Sequence, residues 1–156
     1  MMSVRKAVRD DIDELVRLRI AYLKEDNGQL DDRDAETIAK ELPDYFRRHL
    51  GRDLFCYVWQ EGGEIVASAF LLLVEKPMSP AFINGRTGTV LNVYTCPEHR
   101  RRGYAAQVMR RLLADAGEME LSVVELRATD AGYPLYRSVG FADDAAGYHL
   151  MKWRSQ

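Results

Sequence analysis

The chain has 156 residues, 47% of them hydrophobic, and its 22 lysines and arginines against 24 acidic residues give a formal net charge of −2. This length suits one domain over residues 1–156. The near-neutral charge argues against a basic field that would bind nucleic acid or an anionic membrane surface, so any anion site has to be local.

The first third of the chain predicts one strand and two helices. Residues 4–8 suit a short strand, and apolar residues from Ile12 onward recur at helical spacing until a polar stretch at residues 24–34. A second helix is predicted over residues 34–50. We expect Pro43 to break or kink this helix, because proline cannot donate the backbone hydrogen bond that a helix interior requires.

The middle of the chain predicts a β-hairpin and a further strand. Residues 54–74 contain two β-rich runs on either side of Gly62-Gly63. A glycine pair between two such runs is a strong hairpin signal. A loop with two prolines and two glycines follows at residues 75–88, and residues 89–95 then read as a buried strand.

The last third alternates helix and strand. A helix begins after Gly103, and its apolar residues recur at i, i+3 and i+4. Residues 122–129 read as a strand, residues 134–141 as a short helix, and residues 148–153 as a last strand. The predicted order is β-α-α-β-β-β-α-β-α-β, which is typical of a mixed α/β fold.

The cysteines and the apolar runs indicate which cellular compartment we expect for the protein. Cys56 and Cys96 form neither a disulfide framework nor a Cys-x-x-Cys pair, which favours the reducing cytoplasm. The N-terminal residues contain no apolar signal-peptide core. The longest apolar run, residues 65–74, falls far short of the about 20 residues that a membrane span needs. We therefore expect a cytoplasmic protein with no membrane partner.

Three consecutive arginines, Arg100–Arg102, stand directly before Gly103 and a predicted helix. A helix N-terminus has unpaired N–H groups and a partial positive charge, and glycine lets a ligand approach the backbone. The small Ala105 and Ala106 keep the first helical turn bare. The stretch predicts an anion cradle for a pyrophosphate or a similar group. The alternative is a solvated charge run, and neither a Walker loop nor Gly-x-Gly-x-x-Gly occurs here.

The segment resembles a known family. The sequence RRRGYA at residues 100–105 is similar to the Gln/Arg-x-x-Gly-x-Gly/Ala motif of the GNAT N-acetyltransferases, and it follows VLNVYTCPEH, which resembles that family's central strand. About thirty residues later, PLYRSVGF resembles the family's Leu-Tyr-x-x-x-Gly-Phe. The resemblance implies a mixed, mostly antiparallel central sheet with flanking helices.

The resemblance also implies that acetyl-CoA is the co-substrate. In the family, backbone amides of the motif hold the pyrophosphate, and the preceding strand binds the pantetheine arm as an added strand. This requires the neighbouring strand, residues 122–129, to splay away. Carried over to this chain, the cofactor-binding positions are Val93, Tyr94, Thr95, Arg100, Arg101, Arg102, Gly103, Tyr104, Ala105 and Ala106. No metal is expected, because the three histidines lack metal-ligand spacing.

The implied reaction is direct acetyl transfer from the thioester to a primary amine of a small molecule or peptide. The family's general acid, a tyrosine on the late short helix, corresponds to Tyr136, and the alternative role of Tyr136 is a core aromatic residue. Two features depart from the family pattern. Asp130 stands near the place of a common asparagine, and the central strand has no glutamate as general base. Asn92 and Tyr94 share a strand face there and are candidates for lining the acceptor pocket.

Other functions stay open at this point. The same fold could be a non-catalytic acyl-CoA-binding or sensing module, and the arginines could serve an RNA- or protein-interaction domain. Cys96 and His99 could form a nucleophilic pair, although we expect His99 to face solvent. The resemblance also implies a possible homodimer. Four acidic residues could attract a cationic amine or belong to a solvated loop, namely Glu25, Asp26, Asp31 and Asp32.

Overall fold

Five strands form one sheet in which each strand lies beside its neighbours in the sequence, in the order β1-β2-β3-β4-β5. The computed structural model describes residues 3–27, 30–145 and 147–155. All strand pairs are antiparallel except β4–β5, which is parallel. In chain order the elements are β1 (Ser3–Lys6), α1 (Ile12–Asn27), α2 (Asp32–His49), β2 (Leu54–Glu61), β3 (Glu64–Glu75), β4 (Arg86–Thr95), α3 (Tyr104–Glu118), β5 (Val123–Glu125) and α4 (Tyr133–Ser138).

The predicted hairpin and the fold class are confirmed. Gly62 and Gly63 join β2 to β3 with φ of 58° and 82°, and two successive positive φ angles match the twist of a two-residue hairpin. The sheet is mostly antiparallel and has helices on both faces. No helix among the described residues is long and apolar enough to cross a membrane.

Two apolar clusters bury the two faces of the sheet. Residues of α1 and α2 cover one face, and α3 covers the other. Strand β3 is buried on both sides, with every residue from 65 to 71 inaccessible, which explains why its sequence is a continuous apolar run without alternation. The sheet is therefore the middle layer of three.

Strand β4 contains one extra residue relative to β3. Ser68 pairs with Tyr94 and Phe70 pairs with Leu91, so two steps along β3 correspond to three steps along β4. The bulge falls at Asn92, which is buried and has φ of 54°. Asparagine tolerates this left-handed conformation better than most residues. A bulge bends a strand and redirects its backbone groups, and here it does so in the centre of the sheet.

The pairing between β4 and β5 is short. Thr87, Gly88 and Thr89 pair with Val123, Val124 and Glu125, and the pairing stops there. Beyond Thr89, no strand within the described residues borders this edge of β4. The splaying of residues 122–129 from β4 that an open edge requires is therefore present, and only three of those residues form a strand.

The predicted break at Pro43 and the predicted last strand are both wrong. Helix α2 continues through Pro43 from Asp32 to His49, because Phe46, one turn later, is buried in the core and anchors the second half of the helix. Residues 148–153 form no strand: Tyr148 and Trp153 are 90% and 88% exposed. Their β-type pattern is insufficient because a strand needs a bordering edge, and within the described chain no strand lies beside them.

The anchoring role of Phe46 can be tested by truncation. Phe46 is 1% exposed and its ring meets the edge of Phe70 at 5.8 Å between centroids. We expect Phe46→Ala to lower the free energy of unfolding by about 3–5 kcal/mol, as for other buried phenylalanines. The exposed Glu41 on the same helix provides the control, and Glu41→Ala should change stability by less than about 0.5 kcal/mol. Urea denaturation measures both, and equal stabilities would contradict the anchoring role.

Candidate active site

The turn between β4 and α3 forms a cradle, defined here as residues 100–106. A short 3-10 turn, Pro97–His99, separates β4 from the cradle. Gly103 has φ of 80° and ψ of 11°, and a Cβ atom placed on it would meet nothing within 4 Å. The first helical hydrogen bond of α3 joins the Gln107 N–H to the Gly103 carbonyl. The N–H groups of Ala105 and Ala106 therefore precede the helical ladder and point toward an open surface.

Arg100 links the cradle to α1. Its Nη2 donates to Glu25 Oε2 at 2.7 Å, its Nε donates to the Thr95 carbonyl at 2.8 Å, and its guanidinium lies 5.5 Å from the centroid of the Tyr94 ring. The hydrogen bond from Arg100 lowers the pKa of the Glu25 carboxyl. Arg100 is thus held by a carboxylate, although all three arginines are exposed.

The carboxylate of Glu61 contacts residues in and next to the cradle. Glu61, at the end of β2, accepts a hydrogen bond from the Tyr104 hydroxyl at 2.9 Å, and its Oε2 lies 2.8 Å from His99 Nδ1. Trp59 stacks on the Tyr104 ring at 4.4 Å. The expectation that His99 faces solvent is wrong, because its side chain is only 20% exposed. Sequence reasoning missed Glu61, since no local motif connects it to residues so much later in the chain.

Cys96 and His99 do not form a nucleophilic pair. Cys96 is buried in the cluster on the α1 face, and burial raises the pKa of its thiol. The His99 ring instead lies beside Glu61. Within the described ranges, no group of three or more histidine, cysteine, aspartate or glutamate residues is arranged to hold a metal ion.

A cleft of about 700 Å³ runs from the cradle along the open edge of β4, and we call it the cradle cleft. A second cleft of about 1020 Å³, the outer cleft, occupies the wedge where β4 and residues 125–129 separate. Of the predicted cofactor-binding positions, Arg102 alone does not line the cradle cleft. The Nη1 atom of Arg102 instead lies 3.7 Å from Glu61 Oε2. Residues that line both clefts are Tyr22, Asp26, Val93, Thr129 and Tyr136.

Tyr136 lies where the two clefts meet. It packs among the residues on the α3 face, with the Phe141 ring 6.1 Å away edge-on. A Cβ atom on Gly132 would lie 2.9 Å from the Tyr136 ring, so this glycine is needed for the ring's position. Burial raises the pKa of Tyr136 to about 12, and Tyr22 and Asp26 add to the effect. Its hydroxyl makes no hydrogen bond within the described chain and is a protonated group at the cleft wall at neutral pH.

Asn92 and Tyr94 both face the α1 side of the sheet. The Asn92 amide contacts Ser68 Oγ at 3.4 Å and accepts from Arg19 Nη1 at 3.4 Å, while Tyr94 packs against the apolar cluster. Asp130 is exposed and lines neither cleft.

The four acidic residues separate into different roles. Asp31 accepts a hydrogen bond from the Asp34 N–H at 2.8 Å and caps α2, and Asp32 lies in the first turn of the same helix. Glu25 is bound to Arg100. Asp26 is the one of these four that lines both clefts. Asp26 is therefore the member of this group that shares both clefts with Tyr136.

Comparisons with known proteins agree with this geometry. The family model described as the acetyltransferase (GNAT) family matches residues 14–141. An uncharacterized N-acetyltransferase of Archaeoglobus fulgidus is 29% identical over 126 residues, covering 80% of each chain. The crystal structure of a predicted acetyltransferase from Clostridium acetobutylicum with acetyl-CoA is 33% identical, with a TM-score of 0.83 and coverage of 97% and 96%.

A GCN5-related N-acetyltransferase from Ralstonia eutropha has 29% identity and a TM-score of 0.75, and the match covers 97% of this chain and 99% of that one. Two structures of about the same length thus share this fold nearly end to end. The sequence motif, the cradle and the separating strands all occur inside the region that the family model matches. The chain belongs to the GNAT acetyltransferase family.

Proposed function

We propose that the protein transfers the acetyl group of acetyl-CoA directly to a primary amine of a small-molecule or peptide acceptor. The observation that carries the proposal is the continuity of the site. The cradle, the open edge of β4 and the protonated Tyr136 border one cleft in that order. A pyrophosphate would need an anion site, and an amide-containing arm would need a strip of unpaired backbone. A thiolate leaving group would need a proton donor.

The residues present fit acetyl-CoA. The open space at Gly103 lets a pyrophosphate approach the N–H groups of Ala105 and Ala106. The amides and carbonyls of Val93, Tyr94 and Thr95 lie on the strand edge that β5 leaves open, where the amides of a pantetheine arm can pair as a short added strand. Acetyl-CoA supplies the thioester whose acetyl group is transferred.

The chain's own groups then act on the carbonyl oxygen and on the leaving sulfur of the thioester. The amine nitrogen forms a bond to the thioester carbonyl carbon, and a β4 amide redirected by the bulge at Asn92 binds the oxygen on which negative charge develops. As the carbon–sulfur bond breaks, the sulfur takes the Tyr136 proton, and the nitrogen loses its proton to water. Because the pKa of Tyr136 is about 12, the hydroxyl stays protonated until the thiolate forms.

A second copy of the chain is the partner that we propose. Residues 148–153 expose Tyr148, Leu150, Met151 and Trp153 to water, and the outer edge of β5 is unpaired among the described residues. Exposed apolar groups of this density mark an interaction surface. One chain presents both an exposed apolar segment and an open edge, so two copies related by a two-fold axis would cover both at once.

Gly103 provides the test of cofactor binding. We expect Gly103→Val to weaken acetyl-CoA binding at least about tenfold, since a branched side chain would fill the space above the cradle amides. Gly51 is the control: it shares the positive φ, at 83°, and the empty surroundings, but lies in the turn after α2. Calorimetry should give Gly51→Val the wild-type affinity despite a similar backbone strain of about 1–2 kcal/mol. A folded Gly103→Val protein with unchanged affinity would refute the cradle.

Tyr136→Phe tests the proton donor. With an amine acceptor identified by screening, we expect kcat to fall about 100-fold with KM unchanged, because the hydroxyl acts only as the thiolate leaves. Stability should stay within about 0.5 kcal/mol, since the hydroxyl has no partner in the described chain. Tyr133→Phe on the same helix is the control, as its hydroxyl bonds to Asp143 at 3.0 Å outside both clefts. Wild-type turnover by Tyr136→Phe would leave water as the acid, and binding without any transfer would favour a sensing module.

The proposed dimer is tested by light scattering. The wild-type protein should have twice the 17.9 kDa mass of one chain, and replacing Met151 and Trp153 by serine should yield the single-chain mass. Replacing the polar His149 and Lys152 by serine in the same segment is the matched control and should leave the dimer intact. A wild-type monomer at high concentration would disprove the dimer without affecting the catalytic proposal.

A further inference from the structure

Arg19 is a half-buried cation without a carboxylate partner in the part of the chain that the structure describes. It lies on α1 and lines the outer cleft. Its Nη1 donates to the neutral Asn92 Oδ1 at 3.4 Å, and its guanidinium lies 5.8 Å from the Tyr22 ring centroid. By contrast, Arg5 and Arg100 each form an ion pair below 3 Å with an acidic residue. Removing a charge from water is costly unless an opposite charge compensates it.

The surroundings of Arg19 are suited to an anion. The Tyr22 ring lies beside the guanidinium in the same cleft, and burial raises the pKa of its phenol, so Tyr22 remains a neutral hydrogen-bond donor. Among the described contacts, Asn92 Oδ1 accepts from Arg19 Nη1 alone, and Arg19 lines the outer cleft. A planar guanidinium binds a carboxylate through two parallel hydrogen bonds, which a single amide oxygen cannot replace.

The same face of α1 also presents a negative charge. Arg19, Tyr22 and Asp26 are spaced i, i+3 and i+7, so they follow one line along the helix, about 10 Å from first to last. Asp26 lies at the end near Tyr136, where both clefts meet. Glu125 and Asp144 also line the outer cleft, and neither forms an ion pair with Arg19. The cleft thus offers a carboxylate near the reaction centre and a cation some distance from it.

We infer that the acceptor carries a carboxylate as well as its amine, and that Arg19 binds this carboxylate while Asp26 attracts the ammonium group. The inference rests on the proposed amine acetylation and names the substrate class for it: an amine with a carboxylate several bonds away, either a free ω-amino acid or the C-terminus of a short peptide. Arg19 is then the residue that determines acceptor specificity.

The test uses matched pairs of ligands on the protein loaded with CoA. Glycine, β-alanine, 4-aminobutyrate, 5-aminovalerate and 6-aminohexanoate are each compared by calorimetry with the alkylamine that has the same number of methylene groups but a terminal methyl. Diglycine and diglycinamide form the peptide arm. In at least one arm, either the ω-amino acids or diglycine, we expect the acids to bind about tenfold or more tightly than the counterparts without a carboxylate. The reason is that a charge-assisted hydrogen bond is lost without the carboxylate.

Variants of α1 decide whether Arg19 is responsible. Arg19→Gln should reduce the acid-to-amine affinity ratio to about one while acetyl-CoA affinity stays unchanged, and Arg19→Lys should retain part of the ratio by keeping the charge. Arg17→Gln is the control, because Arg17 is exposed on the same helix and lines neither cleft. It should keep the full ratio.

The outcomes separate this inference from the proposed function. If uncharged amines bind as well as the acids, if no acid binds, or if the ratio persists in Arg19→Gln, the inference is overturned. Acetyl transfer confined to amines without a carboxylate would overturn it while supporting the proposed function. An intact, Arg19-dependent ratio without any acetyl transfer would support the carboxylate site and count against amine acetylation.

Discussion

The separation of two parallel strands is the constraint on which the site depends. Strands β4 and β5 pair over three residues each and then part after Thr89. In an ordinary sheet an unpaired inner edge would be costly, because buried backbone groups need hydrogen-bond partners. Here the wedge is open, and the unpaired groups of β4 line the clefts on which the proposed function depends. The cradle, the bulge at Asn92 and Tyr136 all border this one opening.

Charged contacts hold the rim of the opening in place from two sides. Arg100 connects the cradle to Glu25 at the C-terminal end of α1, and Glu61 connects it to the end of β2. Both carboxylates come from elements that are anchored in the two apolar clusters. These contacts hold the cradle in place without a ligand, which would reduce the entropy cost of the proposed binding. Arg100 contributes to the site by linking the end of β4 to α1.

Local signals in the sequence predicted much of the fold. The glycine pair identified the hairpin, the apolar stripe identified α3, and the ordered motifs identified the family. These features depend on residues close together in the chain. The contacts of Glu61 and Glu25 with the cradle were not predictable, because each of the 24 acidic residues has many possible partners among the 22 lysines and arginines. The predicted break at Pro43 and the predicted strand at residues 148–153 are wrong because tertiary packing decides whether a helix continues and whether a strand finds an edge.

The stack of Trp59 on Tyr104 has an optical consequence. The chain has two tryptophans, and they occupy opposite environments. Trp59 is largely enclosed against the first residue of α3, whereas Trp153 is 88% exposed. In the single chain, intrinsic fluorescence should therefore contain two signals, a blue-shifted one from Trp59 beneath the cradle and a red-shifted one from Trp153. With Trp153 replaced by phenylalanine, the remaining emission would report on the cradle alone, without an added label.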